Sequence, residues 1–167
     1  REPDQEGAAL MATILGPGSF TGIRVGIAAV QGLATGLGRP CLGLSALEVL
    51  ASLVPHRPVV ALRDAWRNEV YAGVYAPGQA SPPFTGPLEG LSALLPPGAV
   101  FVGDGTHRYR ERLRELWPDA LIADPDLFLA APLGRLATPL LAAGRGHGPE
   151  SLAPLYVRGA DIRLPSP

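Results

Sequence analysis

Leu15–Gly38, LGPGSFTGIRVGIAAVQGLATGLG, is the stretch whose reading decides the fold. A strand over Ala8–Leu15 feeds the turn Gly16-Pro17-Gly18-Ser19, where Gly and Pro supply the turn geometry and Ser19 is placed to cap a helix. The helix is predicted from about Phe20 to Leu37. Ile23, Ile27, Val30, Ala34 and Leu37 follow the 3.6-residue period. A second stripe of small residues, Gly22, Gly26, Ala29 and Gly36, is interrupted by Leu33. Glycine costs roughly 1 kcal/mol at each helix-interior position, so several on one face call for close approach of another element. The helix is therefore expected to pack on two sides.

Working outward, Gly38-Arg39-Pro40 ends this helix and Pro40–Ser45 reads as a short buried strand. Ser45 caps a second helix over Ala46–Val54. A domain boundary is placed near Pro55–Pro58, dividing the chain into residues 1–57 and 58–167. Beyond it, Val59–Arg63 and Glu69–Ala76 form an antiparallel pair, the second strand alternating as half-buried strands do. A Pro/Gly-rich loop over Pro77–Pro87 ends in one edge strand. A short helix over Leu88–Leu95, a strand over Ala99–Val102, a helix from about Tyr109 to Trp117 and a strand over Ala120–Ala123 follow. The last helix, Leu127–Ala143, is expected to kink or break at Pro139. The sum is an α/β fold with a mixed sheet.

Composition narrows the chemistry. Of 167 residues, 47% are hydrophobic and 17% charged, and net charge is −1. That is enough apolar content for a core, with no bulk electrostatic attraction to nucleic acid or membrane. All 14 basic residues are Arg, which removes phosphate-loop lysines, Schiff-base lysines and lysine bases together. The single Cys41 allows no intrachain disulfide and reads as a buried thiol. Arg1–Gly7 is a polar opening without the pattern of a signal peptide, and the start reads as a cut inside a longer fold. His56, His107 and His147 are isolated from one another, without the spacing of a metal site.

Candidate sites are few. The N-terminus of the first helix, with Gly18, Ser19, Thr21 and Arg24, offers free N–H groups to an anion or nucleotide; a structural turn and cap is the plainer reading. Asp64, at a strand end, and Gly103 and Gly105, around Asp104, join the same nucleotide reading, against ordinary turn roles. The run His107–Glu115 is the one local basic patch. Its bland reading is a solvated helix face, its functional one RNA contact.

GPGSFTGIRVGIAAVQGLA closely resembles the signature of the TsaB (YeaZ) family, relatives of the TsaD proteins in the actin/Hsp70/sugar-kinase superfamily. PCLGLSALEVLA, LRDAWRNEVYAGVY, VGDG and PLYVRGADIR resemble later family segments in the same order. Trp66 displaces an Arg that the family carries one place away. The family's sequences begin with a further strand trio and helix not matched here. The resemblance implies an actin-like (RNase H-like) two-domain fold, its first domain truncated at the N-terminus. It implies a non-catalytic, cytoplasmic subunit supporting a TsaD-type transferase in N6-threonylcarbamoyladenosine modification of tRNA, together with a TsaE-like ATPase. ATP and a metal ion would then belong to the partners, and no cofactor to this chain. Contact with tRNA would be indirect, and a homodimer would use the partner face. Gly22, Gly26 and Ala29, with Ile23 and Ile27, become the candidate interface, and which of these stripes faces the partner stays open. The other class is an enzyme of the same superfamily, a nucleotide-binding ATPase or a peptidase.

Overall fold

The structure is a computed structural model that describes residues 11–54 and 58–157. The polar opening, the first residues of the leading strand, most of the expected Pro55–Pro58 boundary with His56, and the chain from Arg158 onward lie outside the described residues. The first strand, β1 (Met11–Gly16), leads through a cis Gly16-Pro17 bond into α1 (Phe20–Leu37). Ser19 Oγ accepts from Gly22 N at 3.2 Å, and Gly38 closes the helix in the left-handed conformation that glycine adopts without penalty. β2 (Cys41–Ser45) lies parallel to β1. Ser45 Oγ accepts from Leu47 N and caps α2 (Ala46–Ala51), shorter than the expected helix.

The second sheet is built on β3 (Val59–Asp64), paired antiparallel with β4 (Val70–Ala76) and parallel with β7 (Val100–Val102). β8 (Leu121–Ile122) continues the parallel side. Two short strands, β5 (Gln79–Ala80) and β6 (Phe84–Gly86), edge β4 where one was expected. A 3-10 turn covers Leu88–Ala93. The arginine-rich helix begins earlier than the sequence suggests, as α3 (Asp104–Arg108), and breaks at Tyr109 before α4 (Arg110–Leu116).

Both faces of this sheet are covered. Val60, Leu62, Val70 and Ala72 pack with Leu91 and Leu113, while Val59 and Ala61 pack with Leu47 and Leu50 of α2. Tyr71 and Tyr75, on the alternate face of β4, lie partly buried against that second cluster. The α2 helix also turns Val49 toward Leu42 and Leu44 of β2, so one short helix serves both sheets.

α5 (Ala130–Ala142) is not broken by Pro139. Proline forfeits one N–H bond and crowds the preceding turn, but only three helical residues follow it. Ala137 is fully buried, and Leu133, Leu136 and Leu140 pack on the β2 cluster. Residues 130–155 therefore pack on the first sheet, although the sequence division assigns them to the second unit. Cys41 and His147 bridge backbone to backbone, and Leu152 enters the α1 cluster with Met11, Ile27, Ala34 and Cys41.

Candidate functional site

Arg63, the residue before the end of β3, joins the two sheets where the sequence pointed to a nucleotide site. Its Nη1 donates to the Pro17 carbonyl at 3.0 Å and its Nε to Asp104 Oδ1 at 3.2 Å. A Cβ at Gly18 would come within 2.8 Å of Arg63 Nη1, so this glycine admits the guanidinium. Gly103 and Gly105 have a similar cause: added Cβ atoms there would run into the backbone of Leu62 and Arg63. Strand β3, rather than a ligand, explains their lack of side chains. Sequence reasoning named Gly18, Gly103 and Gly105 but missed Arg63. Its signal was a lone charge closing the apolar run Val59–Leu62.

Asp64 sits beside this tie but turns to the hairpin tip. Its Oδ1 accepts from Trp66 N at 3.0 Å and from the Tyr109 hydroxyl at 3.2 Å, and Arg108 Nε lies 3.5 Å from Oδ2. Trp66, Arg67 and Asn68 all have positive φ, near 60°. Three consecutive non-glycine residues in that region are costly, and the Asp64 carboxylate is one of the groups holding the turn. Burial raises the Tyr109 phenol above its ordinary pKa, so it remains a donor to Asp64. These contacts make Asp64 a turn residue.

Along α1 the two stripes separate cleanly. Ile27 is buried and Ile23 and Val30 are partly buried against β1, with Met11 and Cys41. Gly22 and Gly26 border a groove of about 430 Å3 between α1, β1 and α5, lined also by Thr13, Ala130, Leu133 and Arg63. Ala29 is exposed. A Cβ at Gly22 would press on the Ser19 side chain, 3.3 Å from Oγ, whereas one at Gly26 would meet only Thr13 Oγ1, at an ordinary 3.5 Å, and one at Gly36 nothing within 4 Å. Val25, Leu33 and Leu37 lie 63%, 59% and 58% exposed on the outer side. With 18 residues and a mean hydropathy of 1.2, α1 is long and apolar enough to cross a membrane; here its inner stripe packs on β1.

Arg24 and Thr21 are exposed near the start of α1. Arg24 does not turn to the Gly18–Ser19 mouth. Its Cζ lies 3.7 Å from the Phe20 ring centroid, and its Nε donates to the Tyr156 hydroxyl at 2.9 Å. Phe20 and Tyr156 stack at 5.7 Å between centroids. The closing segment is thereby strapped to α1, helped by Leu155 N donating to Leu15 O and by Gln31 Nε2 donating to the carbonyls of Pro149 and Leu152.

The remaining candidates are paired or buried. In the basic run, Arg110 and His107 meet Asp124, and Arg112 meets Glu89 and Glu115. These ion pairs offset much of the run's positive charge, as on a solvated helix face. The Cys41 thiol is fully buried; burial, then the charge of Glu150, raises its pKa and keeps it protonated. Among the described residues no three His, Cys, Asp or Glu side chains gather as a metal site.

Residues 9–81 match the family model described as TsaD: tRNA N6-adenosine threonylcarbamoyltransferase. The chain is 30% identical to the tRNA threonylcarbamoyladenosine biosynthesis protein TsaB of Escherichia coli (strain K12), over 86% of this chain and 68% of that protein. It is 48% identical over 60 residues to the protein of the same name from Haemophilus influenzae, covering 34% of this chain and 25% of that one. Among solved structures it is similar to YeaZ from Pseudomonas aeruginosa, with a TM-score of 0.75 and 32% identity over 89% of this chain and 73% of that one. A second Pseudomonas aeruginosa structure, of an uncharacterized protein with similarity to peptidase YEAZ, gives the same TM-score and identity over 90% and 74%. The chain thus spans about two thirds of the E. coli protein's length, and shares the actin-like, RNase H-like α/β fold of these structures.

Proposed function

The chain belongs to the TsaB (YeaZ) family, and we propose that it works in tRNA threonylcarbamoyladenosine biosynthesis as a non-catalytic scaffold in the cytoplasm. In this reading it binds a TsaD-type transferase, which carries the metal ion and performs the transfer, while a TsaE-like ATPase uses ATP. The chain itself holds no cofactor and meets tRNA only through its partners.

One observation carries the proposal: α1 buries Ile27 and Ala34 against the first sheet yet leaves Val25, Leu33 and Leu37 in solvent. A helix that is apolar on both sides has a second surface to cover. A helix of the transferase laid along α1 would cover it, and a second copy of this chain would compete for the same face. For an enzyme reading, the described residues offer little. Ser19 is spent as a cap, the Cys41 thiol is buried and held protonated, and Arg63 and Arg108 are tied to carbonyl or carboxylate oxygens.

The test is co-purification of this chain with a TsaD-type protein, using wild type and a Val25→Glu, Leu33→Glu double variant. We expect a stable complex with wild type only. A complex that survives both charges, or clear ATP turnover by the isolated chain in calorimetry, would overturn the scaffold reading.

A further inference from the structure

We infer that the partner helix seated on α1 presents a carboxylate to Arg24, whose guanidinium takes it through the two Nη groups that no described residue engages. The inference rests on the docking reading above and adds to it the charge and position of one partner group.

Arg24 is the only charged residue between Phe20 and Leu37. It lies exposed at the edge of the outer face, next to Val25, and the next cation, Arg39, lies just past the helix end. A face whose apolar residues are accompanied only by positive charge selects a partner with negative charge at the matching place. The side chain is also held for that purpose. Its Cζ lies 3.7 Å from the Phe20 centroid and 5.8 Å from that of Tyr156, and Nε donates to the Tyr156 hydroxyl. Among the described residues, Nη1 and Nη2 make no hydrogen bond or ion pair.

An arginine usually loses much rotamer freedom when it binds. Here two rings and a hydroxyl have already ordered it, so less is lost on association. A carboxylate is the group whose two oxygens match the remaining fork. Phe20 and Tyr156, with Val25 one residue on, would flank the contact and help exclude water, as the surroundings of interface hot spots do. A purely structural strap would need only the Nε–hydroxyl bond.

The experiment is a titration of this chain with a purified TsaD-type protein at low and high salt. It uses wild type, R24Q, R24K and the Val25→Glu, Leu33→Glu double variant, each checked for folding by thermal melting. We expect R24Q to weaken binding about ten-fold or more and to lose most of its salt dependence. R24K should remain weak, because an ammonium lacks the fork and the stacking plane. R24Q binding within about two-fold of wild type, while the double variant fails to bind, overturns the carboxylate contact and leaves the docking reading intact. Binding untouched by the double variant overturns both, as does a homodimer or adhesion to lipid vesicles in place of the complex.

Discussion

Arg63 donates from Nη1 to the carbonyl oxygen of Pro17, 3.0 Å away, and so ties the last residues of β3 to the turn that launches α1. The second bond, to Asp104 Oδ1, draws the start of α3 into the same knot. Three segments far apart in sequence thereby meet at one half-buried guanidinium. Arg63→Ala should cost about 1–2 kcal/mol in urea unfolding, because Pro17 O and Asp104 lose their donor. Arg63→Lys should recover part of this at most, since a single ammonium does not reproduce the planar fork. Hydrogen exchange should quicken at residues 16–19. Unchanged exchange there would show that the turn holds without the arginine.

Gly103 makes a sharper case, because backbone rather than a flexible side chain stands against it. Its φ is +125°, and a Cβ would overlap the Leu62 carbonyl oxygen. Gly103→Ala should destabilise by about 3 kcal/mol or more, combining a disfavoured conformation with a displaced strand. Gly36→Ala, with nothing within 4 Å, should instead be neutral or stabilising by up to about 1 kcal/mol. Urea or thermal melts of the two variants separate a glycine required by contact from one without an intramolecular cause.

What was legible followed from local chemistry. Ser19 and Gly38 bracket α1 at Phe20–Leu37, and both ends act through their own backbone conformations and bonds. The β3–β4 hairpin was similarly visible, since alternation and an Asp-led turn are written in adjacent residues. The misses involve distant partners. Asp64 reads from the sequence as a possible ligand group, whereas in the fold Tyr109 and Arg108 lie beside its carboxylate. From the sequence Arg24 reads as reaching a phosphate or a neighbouring carboxylate, but its Nε partner is Tyr156, far along the chain. Nothing in the periodicity of Ala130–Ala142 told that α5 returns to the first sheet. Pro139 suggested a break there, yet Ala137 and the leucines around it hold the helix on the β2 cluster.

Tyr75 offers a pH test. Burial, followed by the charge of Glu48, pushes its pKa from about 10 to about 12, against a hydrogen bond with Ser45 that acts the other way. The folded state thus holds the phenolic proton more tightly than the unfolded chain. The stability contribution is fully present below about pH 10 and is lost as pH rises through about 12. Unfolding free energy should therefore decline across that alkaline window, and Tyr75→Phe should remove this component of the slope. Equal slopes for variant and wild type would place the alkaline titration elsewhere.

The two sides of α1 should separate stability from association. Ile27 is 4% exposed among Met11, Ala34, Cys41 and Leu152. Ile27→Ala should cost about 2–4 kcal/mol, from lost burial and the cavity left behind. Leu33, 59% exposed, should tolerate Gln within about 0.5 kcal/mol. Binding reverses the order of interest: Leu33→Gln should weaken the complex with a TsaD-type protein while leaving the melting curve in place. Urea titrations and binding isotherms on the same two variants check this directly. A Leu33 variant that binds normally would mean that the outer stripe of α1 is exposed without being used.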